Sequence, residues 1–204
     1  RSSDLMNLMG ALALPSKNYI DYNDLLVDLG GLMSCMSCLV YSRKLLSEAD
    51  FFRYRETNFI QTGVVFEYIA KQNFSVGWVQ HISIGNLTLA HTKKTNWSST
   101  PEWARIGVEG WLKFLFSLPA SYKLSSKFAG AKLFGEVSGL LRYKTFFLRR
   151  ADGNLTLSLI YRYGRELIIC AGFLKVLFAI CICMIPVPVF KVLYSIRSYL
   201  KARM

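Results

Sequence analysis

Along most of this chain apolar residues recur every three or four positions, a spacing that predicts a succession of helices rather than a sheet. The first runs from about Asp21 to Leu46, where Leu25, Leu29, Leu32, Met33, Met36 and Val40 share helical spacing and Asp21 or Asp24 can cap the start. The pair Gly30-Gly31 weakens it. Its centre, Leu25 to Tyr41, crosses a bilayer only if Asp28 finds a partner, so an in-plane or half-buried placement stands equally. A second helix opens at Ser47-Glu48-Ala49-Asp50, a hydroxyl and two acids suited to the positive end of a helix dipole, and continues through Phe59, Val64, Phe66 and Ile69. The stretch Val76 to Leu89 reads as a helix, while its β-branched residues leave a strand open. A loop follows from Thr92 to Pro101.

Thr100-Pro101-Glu102 sets a capping hydroxyl before a proline and an acid, predicting a helix that runs to Leu118 and ends or kinks at Pro119. A further helix is expected from about Ser121 to Arg149, with Gly135 and Gly139 one turn apart where another helix can approach closely. Asp152-Gly153-Asn154 breaks the chain before its longest apolar run, Leu167 to Phe190, 24 residues with Lys175 as the one charge. That length and composition predict a membrane-spanning helix. Pro186 and Pro188 stop it near Ile185 and leave a basic amphipathic tail, Val189 to Met204. Arg162 and Arg165 flank one end and Lys191, Arg197, Lys201 and Arg203 the other, placed to contact lipid headgroups. The expected architecture is all-α: a membrane-embedded or membrane-associated helical bundle with one C-terminal transmembrane helix. It divides into an N-terminal extension (1–20), a partly amphipathic helical region (21–150), the transmembrane region (151–188) and the basic tail (189–204).

Composition agrees with contact to lipid or a large interface: of the 204 residues 52% are apolar and 19% charged, and the formal charge of +12 attracts phosphates, anionic headgroups or acidic partners. Arg142-Tyr-Lys-Thr-Phe-Phe-Leu-Arg-Arg150 interleaves cations with aromatic rings, a vocabulary shared by nucleic-acid clamps and membrane interfaces; the neighbouring apolar run favours the membrane. No catalytic, metal or cofactor centre is expected. His81 and His91 have no Glu or Cys companions at ligand spacing, and Cys35-Met-Ser-Cys38 has the spacing of a half-site with no second pair. Cys170, Cys181 and Cys183 sit in apolar surroundings as small packing residues, so a disulfide framework is not expected. Four of eight asparagines (Asn73, Asn86, Asn96 and Asn154) stand in glycosylation sequons, a hint of a lumenal route, whereas the basic, hydroxylated start Arg1-Ser2-Ser3 resembles what remains after removal of a transit peptide.

Ser42-Arg43-Lys44 followed by Phe51-Phe52-Arg53, together with Leu155-Thr-Leu-Ser-Leu-Ile160 leading into the apolar C-terminal stretch, resembles the peroxisome-proliferation peroxins, the peroxin-eleven family. The ending Ala202-Arg203-Met204 is similar to a peroxisomal address. That resemblance implies a helical protein that remodels and elongates peroxisomal membranes. Taken with the apolar run, the basic charge and the missing chemistry, the favoured expectation is instead a non-catalytic accessory subunit of an organellar membrane complex, a mitochondrial respiratory-chain or ATP synthase assembly. Its partners would be other membrane subunits and anionic lipids such as cardiolipin, with nucleic acid not expected. An RNA-binding subunit of an organellar ribosome is the third reading.

Overall fold

A computed structural model describes residues 15–34, 40–79 and 97–192, and over them the chain is mostly helical, as the apolar spacing predicts. The elements are β1 (Lys17–Tyr19), α1 (Tyr22–Leu29), α2 (Arg43–Glu48), α3 (Ile60–Ile69) and β2 (Val76–Trp78), then a π-helical stretch Arg105–Gly110 running into α4 (Trp111–Ser117). After these come α5 (Leu124–Val137), α6 (Tyr143–Ala151), α7 (Leu157–Ala171) and α8 (Phe173–Cys183). Single 3₁₀ turns occupy Phe52–Tyr54 and Trp97–Ser99.

The long first helix is replaced by two short ones. Asp21 caps α1 by accepting the Asn23 N–H at 2.6 Å, and α1 buries Leu25, Leu26 and Leu29 before ending at Gly30. A separate start at Ser42, whose hydroxyl accepts the Leu45 N–H at 3.1 Å, opens α2. Asp28 does find partners, in β1: the Tyr19 hydroxyl donates to it at 3.0 Å and Lys17 pairs with it at 3.3 Å. Ser47 lies inside α2 rather than at a helix start, and Asp50 caps only the 3₁₀ turn through the Arg53 N–H. The open alternative at Val76 resolves as a strand: β2 pairs antiparallel with β1, Lys17 opposite Trp78 and Tyr19 opposite Val76. The rest of that stretch, 80–89, lies outside the described residues.

An aromatic cluster joins α3, α4 and α5. Trp111 stacks on Phe134 with centroids 4.3 Å apart and meets Phe59 edge-on at 5.0 Å, while Phe66 turns its ring to Tyr122 at 6.1 Å. Offset and edge-to-face pairs of this kind add to the apolar burial of the rings. Their polar tips are satisfied too, since Tyr122 donates to the Phe66 carbonyl at 2.7 Å.

The helix expected over 121–149 divides into α5 and α6. Gly135 does allow a close approach: a Cβ there would stand 2.9 Å from the Cys170 carbonyl of α7. Gly139 instead takes a positive φ of 69° and turns the chain.

The predicted spanning helix is the main correction. Among the described residues no helix is long and apolar enough to cross a membrane. The run breaks at Gly172, whose φ of 85° and ψ of 155° belong to a region open essentially to glycine alone. There the chain doubles back, so that the Cys183 thiol at the end of α8 reaches the Leu155 carbonyl before the start of α7. Arg150 of α6 fastens the hairpin, donating to the carbonyls of Leu155 (3.2 Å), Cys183 (3.1 Å) and Ile185.

Two stability tests follow from these contacts. The Asn23 amide holds the Asp21 carboxyl below its ordinary pKa, so the cap's contribution is present above the unfolded value of about 3.9 and is lost as pH falls through the lowered folded value. Asp21→Ala therefore costs about 1 kcal/mol at pH 7 in urea denaturation, and the gap to the parent closes in acid. Arg150→Ala, which strands three carbonyls, costs about 3 kcal/mol by the same measurement.

Candidate functional site

The hairpin of α7 and α8 presents one face to the body and one outward. On α7 the inner positions are Ile160, Tyr163, Leu167 and Cys170, and on α8 they are Val176, Ala179, Ile182 and Cys183, all buried. The outward side of α7 is polar for two turns, with Tyr161, Arg162 and Arg165 exposed. α8 differs. Its outward positions Phe173 (63% exposed), Leu174 (72%), Leu177, Ile180 and Met184 (69%) are apolar, and all five are left at least partly exposed. At about 1.5 Å per residue this strip runs about 17 Å along the helix. Exposed Val189 and Val192 follow α8, while Phe190 between them is buried against Phe147 at 4.3 Å. Tyr143 at the start of α6 meets Phe178 edge-on at 5.0 Å, joining that half-exposed ring to the strip's border.

Cations border the strip. Lys175 is half-buried at its start and Lys191 is exposed beyond its end. Of the residues expected to contact headgroups, Arg162 and Arg165 sit one turn apart on the exposed side of α7, Arg162 lying 5.3 Å from the centroid of the Tyr163 ring. Arg197, Lys201 and Arg203 lie outside the described residues.

The basic aromatic stretch 142–150 divides in two. Arg142, Tyr143 and Lys144 are exposed at the first turn of α6, whereas Phe146, Arg149 and Arg150 face the core. Arg149 lies 3.7 Å over the Trp103 ring and donates to the Ser98 carbonyl at 3.1 Å; burial draws its pKa down to about 9, which leaves it protonated at neutral pH. The interleaved spacing that reads as one interface thus splits, Arg142 and Lys144 facing out and Arg149 and Arg150 serving packing, and no local pattern marks the difference.

Cys170 and Cys183 are buried and Cys181 is exposed beside the strip; burial pushes the Cys170 thiol up to about 12. Among the described residues no three His, Cys, Asp or Glu side chains gather as metal donors. Cys35, Cys38, His81 and His91 lie outside them. Of the two described sequons, Asn73 is exposed and Asn154 half-buried, its carbonyl accepting the Trp103 indole N–H at 3.1 Å. The element that sequence reasoning missed is the break at Gly172, and the signal was there: it is the one glycine within Leu167 to Phe190. Compared with known proteins, the chain matches no family model, no curated protein and no solved structure.

Proposed function

We propose that this protein is a non-catalytic structural component of an organellar membrane assembly, held in the plane of an anionic membrane by the outer face of α8. The observation that carries the reading is the exposed apolar strip Phe173, Leu174, Leu177, Ile180 and Met184 with lysines at either end. An apolar helix face rimmed by cations suits insertion to the headgroup and acyl boundary, with the lysine stems lying along the apolar surface and their charges toward lipid phosphates. Moving these five partly covered side chains out of water contributes on the order of 5 kcal/mol. The net charge of +12 adds attraction to an anionic surface and repulsion between two copies, so lipid is the occupant rather than a second molecule. A mitochondrial respiratory-chain or ATP synthase assembly remains the setting we favour, with cardiolipin-type lipids as contacts.

Vesicle co-sedimentation tests the docking. The protein sediments with vesicles containing anionic phospholipid and less with neutral ones. Leu174→Glu with Leu177→Glu, at exposed positions on the outward face, weakens binding by at least about tenfold without altering the circular dichroism spectrum. Maleimide labelling of Cys181, read by peptide mass spectrometry, slows on vesicle addition. Unchanged sedimentation of the double variant, or a parent that ignores vesicles and self-associates, would sink the proposal. In gently solubilised membranes, migration with a large complex supports the accessory role, whereas migration as a homo-oligomer with lipid moves the reading to membrane shaping.

A further inference from the structure

On another part of the surface, a cleft of about 570 Å³ opens between the turn 52–57 and α4, lined by Phe52, Arg53, Arg55, Lys113 and Phe116 with Glu56 at its edge. Three cations therefore share it with one acid. Their hydrogen-bonding state sets them apart. Arg53 uses Nε on the Ser117 carbonyl at 2.7 Å, which fixes its guanidinium at the end of α4. Its Nη1 stays 3.9 Å from Glu67, beyond hydrogen-bond range. The Arg55 guanidinium lies 3.9 Å over the Phe52 ring and 3.8 Å from Glu56, its neighbour in the chain, and makes no hydrogen bond among the described residues. The long Arg55 to Glu56 pair is largely exposed and costs little to exchange. Lys113 is held at 2.8 Å by Glu109, one turn back on the same strip of helix.

Beside these guanidinium groups stand two partly exposed rings, Phe52 at 70% exposure with Arg55 over one face and Phe116 at 43%, the latter continuing edge-on into Phe128 at 5.5 Å. The end of α4 engages Arg53 through the Ser117 carbonyl and Lys127 through that of Leu118 at 2.8 Å, but it makes no hydrogen bond with the side chains of Arg55 and Lys113 among the described residues. Two forks with free donors suit an anion of several oxygens, and a phosphate accepts bidentate arginine pairs where a single carboxylate would leave donors over. Exposed aromatic surface next to such donors suits an apolar group attached to that phosphate. We infer that this cleft is a binding site for a phosphate ester bearing an apolar substituent, with Arg53 and Arg55 on the phosphate, Lys113 adding charge, and Phe52 and Phe116 against the apolar part. The site is separate from the α8 strip and stands whether or not that strip docks on a membrane.

Isothermal titration tests it with two compounds: a short-chain phosphatidic acid kept below its micelle concentration, and glycerol 3-phosphate. Both are titrated into the full chain and into the Leu174→Glu/Leu177→Glu form, which removes the strip. Saturable binding is expected in both proteins, weakened at least about tenfold by Arg55→Glu with Lys113→Glu. Phe52→Ser lowers affinity for the lipid while leaving glycerol 3-phosphate unchanged. Tighter binding of the lipid supports the apolar part of the assignment, and equal binding of the two compounds overturns it. Absence of saturable binding by either compound, or binding that the charge reversals leave intact, overturns the site. Loss of binding in the strip variant alone also overturns it, because the ligand would then have been held at α8.

Discussion

The guanidinium of Arg150 holds together the C-terminal third of the molecule. It reaches the carbonyls of Leu155, Cys183 and Ile185, so one side chain of α6 ties the approach to α7, the end of α8 and the segment beyond. Among the described residues no carboxylate accompanies it and its Nε has no partner. A buried cation is tolerable there because the carbonyls it meets lie at or near helix ends, where they have no helical partner of their own. Hydrogen bonds to a charged donor exceed neutral ones in strength. The clamp works together with Gly172. Glycine makes the sharp turn accessible, and Arg150 makes the folded-back arrangement the one in which the carbonyls of Leu155, Cys183 and Ile185 find a donor.

A consequence follows for the apolar run of 167–190. As a straight helix it would offer apolar surface all round, the condition for a span. Folded into a hairpin, it divides that surface. Val176, Ala179, Ile182 and Cys183 go to the core, and what remains is a one-sided strip. A one-sided strip has the geometry of a helix that lies in an interface rather than one that crosses it. The proposed docking thus rests on the same turn that removes the spanning helix.

What could be read from the sequence were features decided by neighbours. Asp21 as a cap, the end of α4 just before Pro119, and Gly135 as a point of close approach all depend on a few adjacent residues. Features decided across the chain were hidden. Tyr19 pairs with Val76 across 57 positions, and no local pattern in a three-residue strand announces that partner. The helix from 121 to 149 seemed continuous because helical spacing persists on both sides of Gly139, yet the turn there lets α6 pack against α8. Apolar spacing also cannot say whether Leu174 faces lipid, a core or water, since each setting asks for the same residue types. Arg162, Arg165 and Lys191 were legible as exposed cations near the run. The cleft was not, because its two walls come from residues 52–57 and 113–117 and share no motif.

The charge distribution bears on both surfaces. Lys127, Arg149 and Arg150 are buried and bound to carbonyls or a ring, which removes their donors from contact with any ligand. Their charge still contributes to the field, since among the described residues none is neutralised by a buried acid. An anionic surface or phosphate therefore experiences attraction from cations it never touches, while direct contacts fall to exposed side chains such as Arg55, Lys113 and Lys191. Attraction of the first kind spreads over about a Debye length and is screened by salt; the second kind depends on geometry and persists. Raising ionic strength should thus weaken the approach to vesicles more than it weakens the grip of two arginine forks on a bound phosphate, and that difference separates a general basic field from a built site.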